Sequence, residues 1–313
     1  MAVFTQSVTA QNEVALVPLA LPGHRRTSWS PWLLAGVIAR GVSNFGAHRK
    51  VLRLLKHQAL AEIAQTTPRF AYKYLSQNYL ARGLRTSERA SCFLHHYDRM
   101  SSALPGRFMH QVANGYLALH EIRVDDNRFT LSMGISQYFD MEGEMSLYLH
   151  VNGEIVYLVA FTIVPGPVVQ SEANEVILIS RFQGMKGSYR DIHLATKSLH
   201  DVAPASVLLA AVQGIADAFG IHEIASVTAA RQSAYGEDSA VEFEQAYNDL
   251  FLGLGLVPTE AGFFRASIPL EGKPLSSVKK GHKLRTRQKR AFKHAVQSAC
   301  AAFLTEHILN PVS

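Results

Sequence analysis

The sequence predicts an α+β protein: a mainly helical N-terminal part, then a mixed sheet with helices, then a basic C-terminal helix. Three observations predict this class. Apolar residues recur at helical spacing in the first third of the chain, they alternate with polar residues in the middle, and Lys and Arg crowd the C-terminal end. Of the 313 residues, 48% are hydrophobic and 18% charged, a balance typical of globular proteins.

We divide the chain into an N-terminal arm, a helical region, an α/β domain and a basic C-terminal helix packed on that domain. Their bounds are 1–31, 32–124, 125–271 and 272–313. In the helical region, the apolar residues from 32 to about 64 fall on one side of a helix, which favours packing on a core over lying on a membrane. Further helices are predicted over 71–80 and 88–100.

The middle of the chain predicts an antiparallel meander. Alternating apolar and polar residues predict strands over 129–135 and 145–151, an apolar run predicts a third over 155–164, and a fourth is predicted over 176–180, after a Pro-Gly-Pro break. Asn152-Gly153 lies between the second and third strands and suits a tight hairpin, because both positions need positive φ. Helices predicted over 189–199, 204–219 and 241–254 then alternate with strands over 224–228 and 263–268.

Several classes of protein are excluded by composition. No apolar stretch is long enough to cross a bilayer and no secretory signal begins the chain, so we expect a cytoplasmic protein without a transmembrane segment. Its two cysteines, Cys92 and Cys300, give neither a disulfide framework nor a thiolate metal site. His95 and His96 are adjacent and point in different directions on a helix, so metal binding is not predicted.

Basic residues are concentrated near the C terminus. Nine Lys and Arg lie within 273–293, and no Asp or Glu lies between Glu271 and Glu306. Without those nine, the chain has 22 basic and 25 acidic residues, so the rest is slightly acidic. A local excess of cations indicates an anionic partner or a solvated helix face.

The first candidate for chemistry is a glycine-bearing turn over 181–187. Gly184 and Gly187 let a backbone approach a phosphate closely, the following helix N-terminus favours negative charge, and Arg181 and Gln183 flank the turn. Its spacing matches neither a Walker A loop nor a Rossmann fingerprint. A connecting loop that merely needs two glycines is the alternative.

The second candidate is a stripe on the next helix. Arg190, His193, Lys197 and His200 recur at three and four residues, so they share one side. Two imidazoles and two cations can bind an anion or supply a general base, and a solvated helix face is the alternative.

The third candidate is the polar side of the strand around Ser146, which alternates Glu142, Glu144, Ser146, Tyr148 and His150. Glu144 is placed to take a proton from an incoming amine or hydroxyl. An ordinary exposed sheet face is the favoured alternative.

Five segments in order resemble the VirK/YbjX family of bacterial proteins: RFAYKYL at 69–75, LHHY at 94–97, EGEMSL at 142–147, RFQG at 181–184 and ATKSLH at 195–200. The resemblance runs from about Arg69 to Arg290. It implies a bacterial cytoplasmic protein of a family linked to virulence and envelope traits, without an agreed activity.

The order of elements also resembles the GNAT acyltransferase fold. In that family, the turn after the fourth strand holds the pyrophosphate of a donor such as coenzyme A, which implies Gln183, Gly184 and Gly187. The glycine spacing departs from the family's, two helices stand where one is usual, and the position of a frequent tyrosine acid falls on Phe251. Tyr247, or the stripe histidines, then remain as substitutes.

Two functional hypotheses follow. The leading one is an acyl or aminoacyl transferase without a permanently bound cofactor, which moves an acyl group from acyl-coenzyme A or aminoacyl-tRNA to an amine or hydroxyl of a small molecule or peptide. Its expected donor-binding residues are Arg181, Gln183, Gly184, Gly187, Arg190 and Lys197. Its expected catalytic residues are His193, His200, Glu144 and Tyr247.

The alternative is a non-enzymatic virulence- or envelope-associated factor that binds RNA, anionic lipid or a partner protein. It would bind through the basic segment: Lys279, Lys280, Lys283, Arg285, Arg287, Lys289 and Arg290. An aminoacyl-tRNA donor would also engage that segment. The sequence does not predict an oligomeric state.

Overall fold

The computed structural model describes residues 44–136, 141–233, 244–270 and 274–309, with the single positions 36, 39, 41, 42, 235 and 272. The predicted N-terminal arm lies outside the described residues. The α+β class, the mixed sheet and the C-terminal helix are confirmed.

Within residues 44–116, the helices are α1 (Phe45–Leu54), α2 (Gln58–Thr66), α3 (Thr86–Ala103) and α4 (Gly106–Asn114). The sequence pattern predicts one helix up to residue 64. The structure has two helices in this segment, and the break between them lies before Gln58. Val51 and Leu60 are fully buried, which confirms that this region packs on the core. The sequence analysis missed α4, a short helix whose buried residues are Phe108, Met109 and Val112.

The helix predicted over 71–80 is wrong. Two 3-10 turns, Pro68–Ala71 and Lys73–Leu75, occupy part of this segment instead. Lys73, Tyr74 and Tyr79 are all buried, at 3%, 0% and 0% exposure. Burying side chains that close together in sequence requires a compact irregular path, because a regular helix would turn some of them to solvent.

Eight strands form one sheet in the order β1-β2-β3-β4-β5-β6-β8-β7. They are β1 (Leu117–Val124), β2 (Asn127–Ile135), β3 (Met145–Val151), β4 (Glu154–Pro165), β5 (Glu175–Gly184), β6 (Glu223–Val227), β7 (Val257–Pro258) and β8 (Phe263–Ser267). β5 and β6 are parallel, and the other neighbours are antiparallel. The predicted meander is confirmed, and β1 extends it, so the sheet begins at Leu117 and not after residue 124.

The remaining helices are α5 (Tyr189–Ser198), α6 (Pro204–Phe219), α7 (Leu250–Gly253) and α8 (Lys283–Leu309). A π-helical segment, Glu244–Asp249, leads into α7, where a continuous α-helix over 241–254 was predicted. α6 starts with Pro and ends at Gly220, which has φ 69°, as its sequence predicts.

α8 packs along α6 through Gly214, where a Cβ atom would lie 2.3 Å from the Gln297 carbonyl oxygen. Val296, Cys300 and Leu304 form the buried side of α8. Leu284, near the start of α8, is 69% exposed. No helix in the described part of the chain is both long enough and apolar enough to cross a membrane.

Candidate active site

The two parallel strands of the sheet part at Ser180. β5 and β6 pair only over residues 177–179 opposite 224–226. On the other side of β5, the partner of Phe161 is Ile179 and the partner of Ala160 is Arg181, so Ser180 is the extra residue of a β-bulge. A bulge bends its strand and increases the local twist. β5 therefore continues to Gly184 after its pairing with β6 has ended.

The loop after β6 reaches back to this point. Gln232 Nε2 donates to the Ser180 carbonyl at 2.7 Å, and both residues are buried, at 1% exposure each. The buried Ser180 hydroxyl has no hydrogen-bond partner among the described residues. Buried hydroxyl groups usually have a hydrogen-bond partner. The bulge is therefore a place where a bound group can supply the hydrogen bond that the Ser180 hydroxyl lacks.

β5 leads directly into the predicted glycine turn. The turn is shorter than the sequence analysis expects, because Arg181, Gln183 and Gly184 still pair with β4, and only residues beyond Gly184 form it. Gly187 has φ 88° and open space around its Cα, which makes it the residue that turns the chain into α5. No side chain caps the first turn of α5, so its free N–H groups remain available to an anion. Lys186 and Arg190 are exposed beside them.

The side chains of Arg181 and Gln183 lie on a face of the sheet and do not point into the turn. Register places Arg181 in a row with Ala160 and Ser146 on one sheet face. Nη1 of Arg181 donates to both carboxylate oxygens of Glu142, at 2.9 and 2.8 Å, and Nε donates to Gln183 Oε1 at 2.8 Å. The first and third sequence candidates therefore meet in one cluster, and a carboxylate already neutralises the expected phosphate ligand Arg181.

Ser233 completes this cluster. Its hydroxyl donates to Glu142 Oε1, and its carbonyl accepts from Arg82 Nη2 at 3.0 Å. Glu142 is 4% exposed and Ser233 is half-buried, so the carboxylate has one side in the protein and one side toward the loop after β6. A half-buried hydroxyl held against a carboxylate provides a route for a proton.

Glu144 lies in a different environment. Its carboxylate is fully buried, 2.6 Å from Lys73 Nζ, and accepts hydrogen bonds from the hydroxyls of Tyr79 and Tyr97 at 2.5 Å each. Burial and the adjacent Glu144 charge raise the pKa of both tyrosines well above 10. Glu144 therefore joins the helical region to the sheet.

The polar face around Ser146 is buried, so the favoured expectation of an exposed sheet face is wrong. Ser146, Tyr148 and His150 are at most 2% exposed. Burial lowers the pKa of His150, whose Nε2 is hydrogen-bonded to Ser132 Oγ at 2.7 Å. This hydrogen bond gives the buried polar groups of His150 and Ser132 a partner within the protein.

Arg190, His193 and Lys197 form an exposed stripe along α5, but His200, expected on the same side of the helix, lies exposed in the turn after α5 ends at Ser198. No contact joins these residues to Glu144 in the described part of the chain, so the structure does not bring the expected catalytic set together. Tyr247 lies in the π-helical segment, and its side chain is outside the described residues. Phe251, the position of the tyrosine expected from the GNAT resemblance, is fully buried between Phe182 and Phe264.

The stripe adjoins the basic segment at the turn between α5 and α6. His200 and Asp201 both have positive φ, 57° and 55°, and the His200 ring lies 5.3 Å from that of Phe292. Arg285 Nη2 lies 2.9 Å from Asp201 Oδ2, and Lys289 Nζ donates to the Asp201 carbonyl at 2.6 Å. The other residues of the basic segment are exposed or half-buried: Lys279, Lys280, Lys283, Arg287 and Arg290.

A family model described as "Protein of unknown function (DUF535)" matches residues 35–301 of the chain. The chain belongs to the DUF535 family. This family corresponds to VirK/YbjX, so the resemblance carried by the five sequence segments is confirmed. A search of curated proteins found no match.

The DUF535 site includes residues that sequence reasoning missed. Gln232, Ser233 and Asp201 lie in loops without periodicity, and their roles depend on contacts with β5, Glu142 and α8. A Gln-Ser pair a few residues after a predicted strand is a weak signal that could have found the first two. Among the described residues, no group of three or more His, Cys, Asp or Glu could hold a metal ion.

Proposed function

We propose that this DUF535 protein is a GNAT-like transferase that moves an acyl or aminoacyl group from a phosphate-bearing donor to an amine or hydroxyl. The observation that carries the proposal is the parting of β5 and β6 at Ser180, followed at once by the glycine turn and the uncapped start of α5. In α/β sheets, ligands bind at the carboxyl ends of parallel strands, and helix N-termini bind phosphate.

The strand edge of β5 supports the binding of an extended donor arm. Residues 181–184 pair with β4 on one side, and beyond residue 179 no described strand pairs with the other side. An extended chain can add to such an edge through backbone hydrogen bonds. An acyl donor bound there would have its phosphates at the N-terminus of α5 and its acyl group near Ser180.

The order of elements supports the same proposal. A meander of four antiparallel strands, β2 to β5, is followed by the glycine turn, two helices and the parallel strand β6. This order resembles the GNAT fold, in which the corresponding turn holds the donor's pyrophosphate. The second helix between β5 and β6 remains a departure.

Glu142 is the carboxylate that the geometry favours for proton transfer. Glu144 is fully buried and engaged by Lys73, Tyr79 and Tyr97, which leaves no route to an acceptor. Glu142 lies beside Ser233, in the loop after β6, where an acceptor amine or hydroxyl could donate its proton. Gln232 and the first turn of α5 would orient the donor.

Ligand-dependent thermal unfolding tests the donor site. One of the possible donors, acetyl-coenzyme A or aminoacyl-tRNA, is expected to raise the Tm, because a ligand that binds only the native state stabilises it by mass action. Gly187→Ala strains a left-handed position at the turn and should abolish this rise. Gly153→Ala is the matched control, because Gly153 has φ 98° and open space but lies in the β3–β4 hairpin.

The proposal predicts that the Gly153→Ala variant keeps the donor-dependent rise while its own Tm falls as much as that of Gly187→Ala. If both variants respond to the donor like the unchanged protein, α5 does not bind it. If no acyl donor raises the Tm, the non-enzymatic alternative is favoured, and exposed Lys279 and Lys280 are the residues to examine.

A further inference from the structure

The first half of α8 and the residues before it carry a large positive charge. Eight Lys and Arg lie within 279–293, with no carboxylate between Glu271 and Glu306. Lys279, Lys280 and Arg287 are exposed. Burial lowers the pKa of Lys293, and the charges of Arg290 and Lys289 lower it further, so the cations are crowded enough to repel one another.

Asp201 joins this charge to the stripe of α5. Three cations converge on it: Lys197 Nζ at 3.5 Å from Oδ1, Arg285 Nη2 at 2.9 Å from Oδ2, and Lys289 Nζ at 2.6 Å from the carbonyl oxygen. One carboxylate cannot neutralise three cations, so the joined surface stays positive. We define the basic surface as the stripe of α5 together with residues 279–293.

The basic surface begins at the proposed donor turn. α5 has 10 residues, which span about 15 Å. Arg190 lies in its first turn, beside the exposed Lys186, and Lys197 lies in its last turn, beside Asp201. The pyrophosphate of a small coenzyme occupies only the first turn of a helix. Cations at the far end, and beyond it on α8, instead fit a longer polyanion.

The apolar residues favour RNA over a membrane as that polyanion. An interfacial helix inserts an apolar face into lipid, but Val296, Cys300 and Leu304 of α8 are buried in the protein. Leu284 is the one large apolar side chain among residues 279–293 that is strongly exposed, at 69%. Tyr189 is 80% exposed at the first residue of α5, where its ring can stack on an unpaired base.

We infer that the basic surface binds the phosphate backbone of an RNA whose single-stranded 3′ end enters the donor turn, so that the acyl donor is an aminoacyl-tRNA. This inference rests on the proposed function and names its substrate class. The acceptor's amine or hydroxyl attacks the aminoacyl carbonyl, its proton passes to Glu142, and an amide or a new ester forms. The ester bond to the RNA 3′ oxygen breaks, and this oxygen takes the proton back from Glu142 and leaves as the free 3′-hydroxyl of the RNA.

Fluorescence anisotropy with an RNA hairpin that has a single-stranded 3′ end tests the surface. In Lys279→Gln/Lys280→Gln/Arg287→Gln, three exposed cations are lost, so affinity should fall. The slope of log affinity against log salt should become shallower by about 2 to 3, since each phosphate contact contributes roughly 0.7 to 0.9. The matched control is Arg49→Gln/Lys50→Gln/Arg53→Gln, which removes three exposed cations from α1.

Tyr189→Ala tests the entry of the 3′ end. This variant should bind the hairpin with a single-stranded 3′ end about tenfold more weakly, because one stacked base is lost. It should bind a blunt hairpin as well as the unchanged protein does. Since Tyr189 is 80% exposed, its removal is expected to leave the Tm unchanged.

Equal binding by the two triple variants, or equal loss in both, overturns the RNA inference. Binding to vesicles of anionic phospholipid without binding to RNA also overturns it. If coenzyme A raises the Tm in a Gly187-dependent manner while RNA does not bind, the proposed function stands and the RNA donor is refuted. If RNA binds but neither Gly187→Ala nor Tyr189→Ala changes that binding, the basic surface binds RNA but the RNA 3′ end does not enter the donor turn. This outcome refutes the aminoacyl-tRNA donor.

Discussion

At the residue scale, Glu144 shows how a carboxylate can be fully buried and still stable. Lys73 supplies the opposite charge, and Tyr79 and Tyr97 donate the two hydrogen bonds that complete the carboxylate. Taking two charges out of water costs more than their attraction returns unless such hydrogen bonds are present. The tyrosines are therefore as necessary to this site as the lysine is.

Removing the Glu144 charge is expected to destabilise the protein strongly. Glu144→Gln removes the carboxylate charge that lies 2.6 Å from the buried Lys73 ammonium, at a cost of roughly 3–5 kcal/mol in the free energy of unfolding. Lys73→Met/Glu144→Gln removes both charges and should recover a large part of that loss. Urea unfolding followed by circular dichroism measures both values, and a double variant no more stable than the single one would refute the pairing.

His96 is expected to make the protein sensitive to acid. Its Nδ1 accepts the Ile163 N–H at 3.1 Å, and burial, with the nearby Lys73 charge, lowers its pKa from 6.5 to about 3. Between these pH values the unfolded chain binds a proton that the native protein does not. The free energy of unfolding should therefore fall as the pH drops from 6.5 toward 3, by about 1 kcal/mol per pH unit.

His96→Asn provides the test, because its amide oxygen can still accept the Ile163 N–H but does not titrate. This variant should be less stable than the unchanged protein at pH 7 and should lose less stability on acidification. Equal slopes of unfolding free energy against pH in both proteins would show that another group titrates.

At the element scale, the contact between α6 and α8 holds the basic segment in place. Gly214 lies so close to the Gln297 carbonyl that any side chain must push the helices apart. Gly214→Ala should lower the free energy of unfolding by about 1–3 kcal/mol through overpacking. Gly46→Ala, at a helical position with nothing within 4 Å, is the control and should be neutral or stabilising.

Elements were predictable where local pattern and packing agree. β2 and β3 alternate apolar and polar residues, β4 is a continuous apolar run, and α6 carries Pro at its start and Gly after its end, so these elements were predicted within a few residues. The segment over 68–80 was not, because its path is set by burying Lys73 and Tyr79 against the sheet. β1 was missed because its alternation of apolar residues changes phase at the irregularity between Ala118 and His120.

The candidate site was predictable only in part, because its contacts join distant segments. The sequence indicates that a turn within residues 181–187 links a strand to a helix, and the end of β5 at Gly184 and the start of α5 confirm this. It does not reveal that Arg181 pairs with Glu142, 39 positions away, or that Gln232 bridges to Ser180. Such partners depend on the register of the sheet, which local patterns do not specify.

At the scale of the whole molecule, the helical region and the sheet act as one unit. All three side chains that engage the Glu144 carboxylate come from residues 73–97, while Glu144 itself precedes β3. α3 makes a second link, since His95 and Arg99 both contact Glu175 at the start of β5. The site at Ser180 therefore rests on a sheet that two groups of helices hold in position.

The Glu144 cluster also limits how the molecule can be shortened. A fragment starting at residue 117 would contain every strand and the whole proposed site, yet its Glu144 would have lost the ammonium and both hydroxyls. Water would have to enter the sheet face to solvate the bare carboxylate, and the face would lose its packing. The first third of the chain is therefore needed to keep the sheet folded and dry. We expect the sheet to aggregate when it is expressed separately.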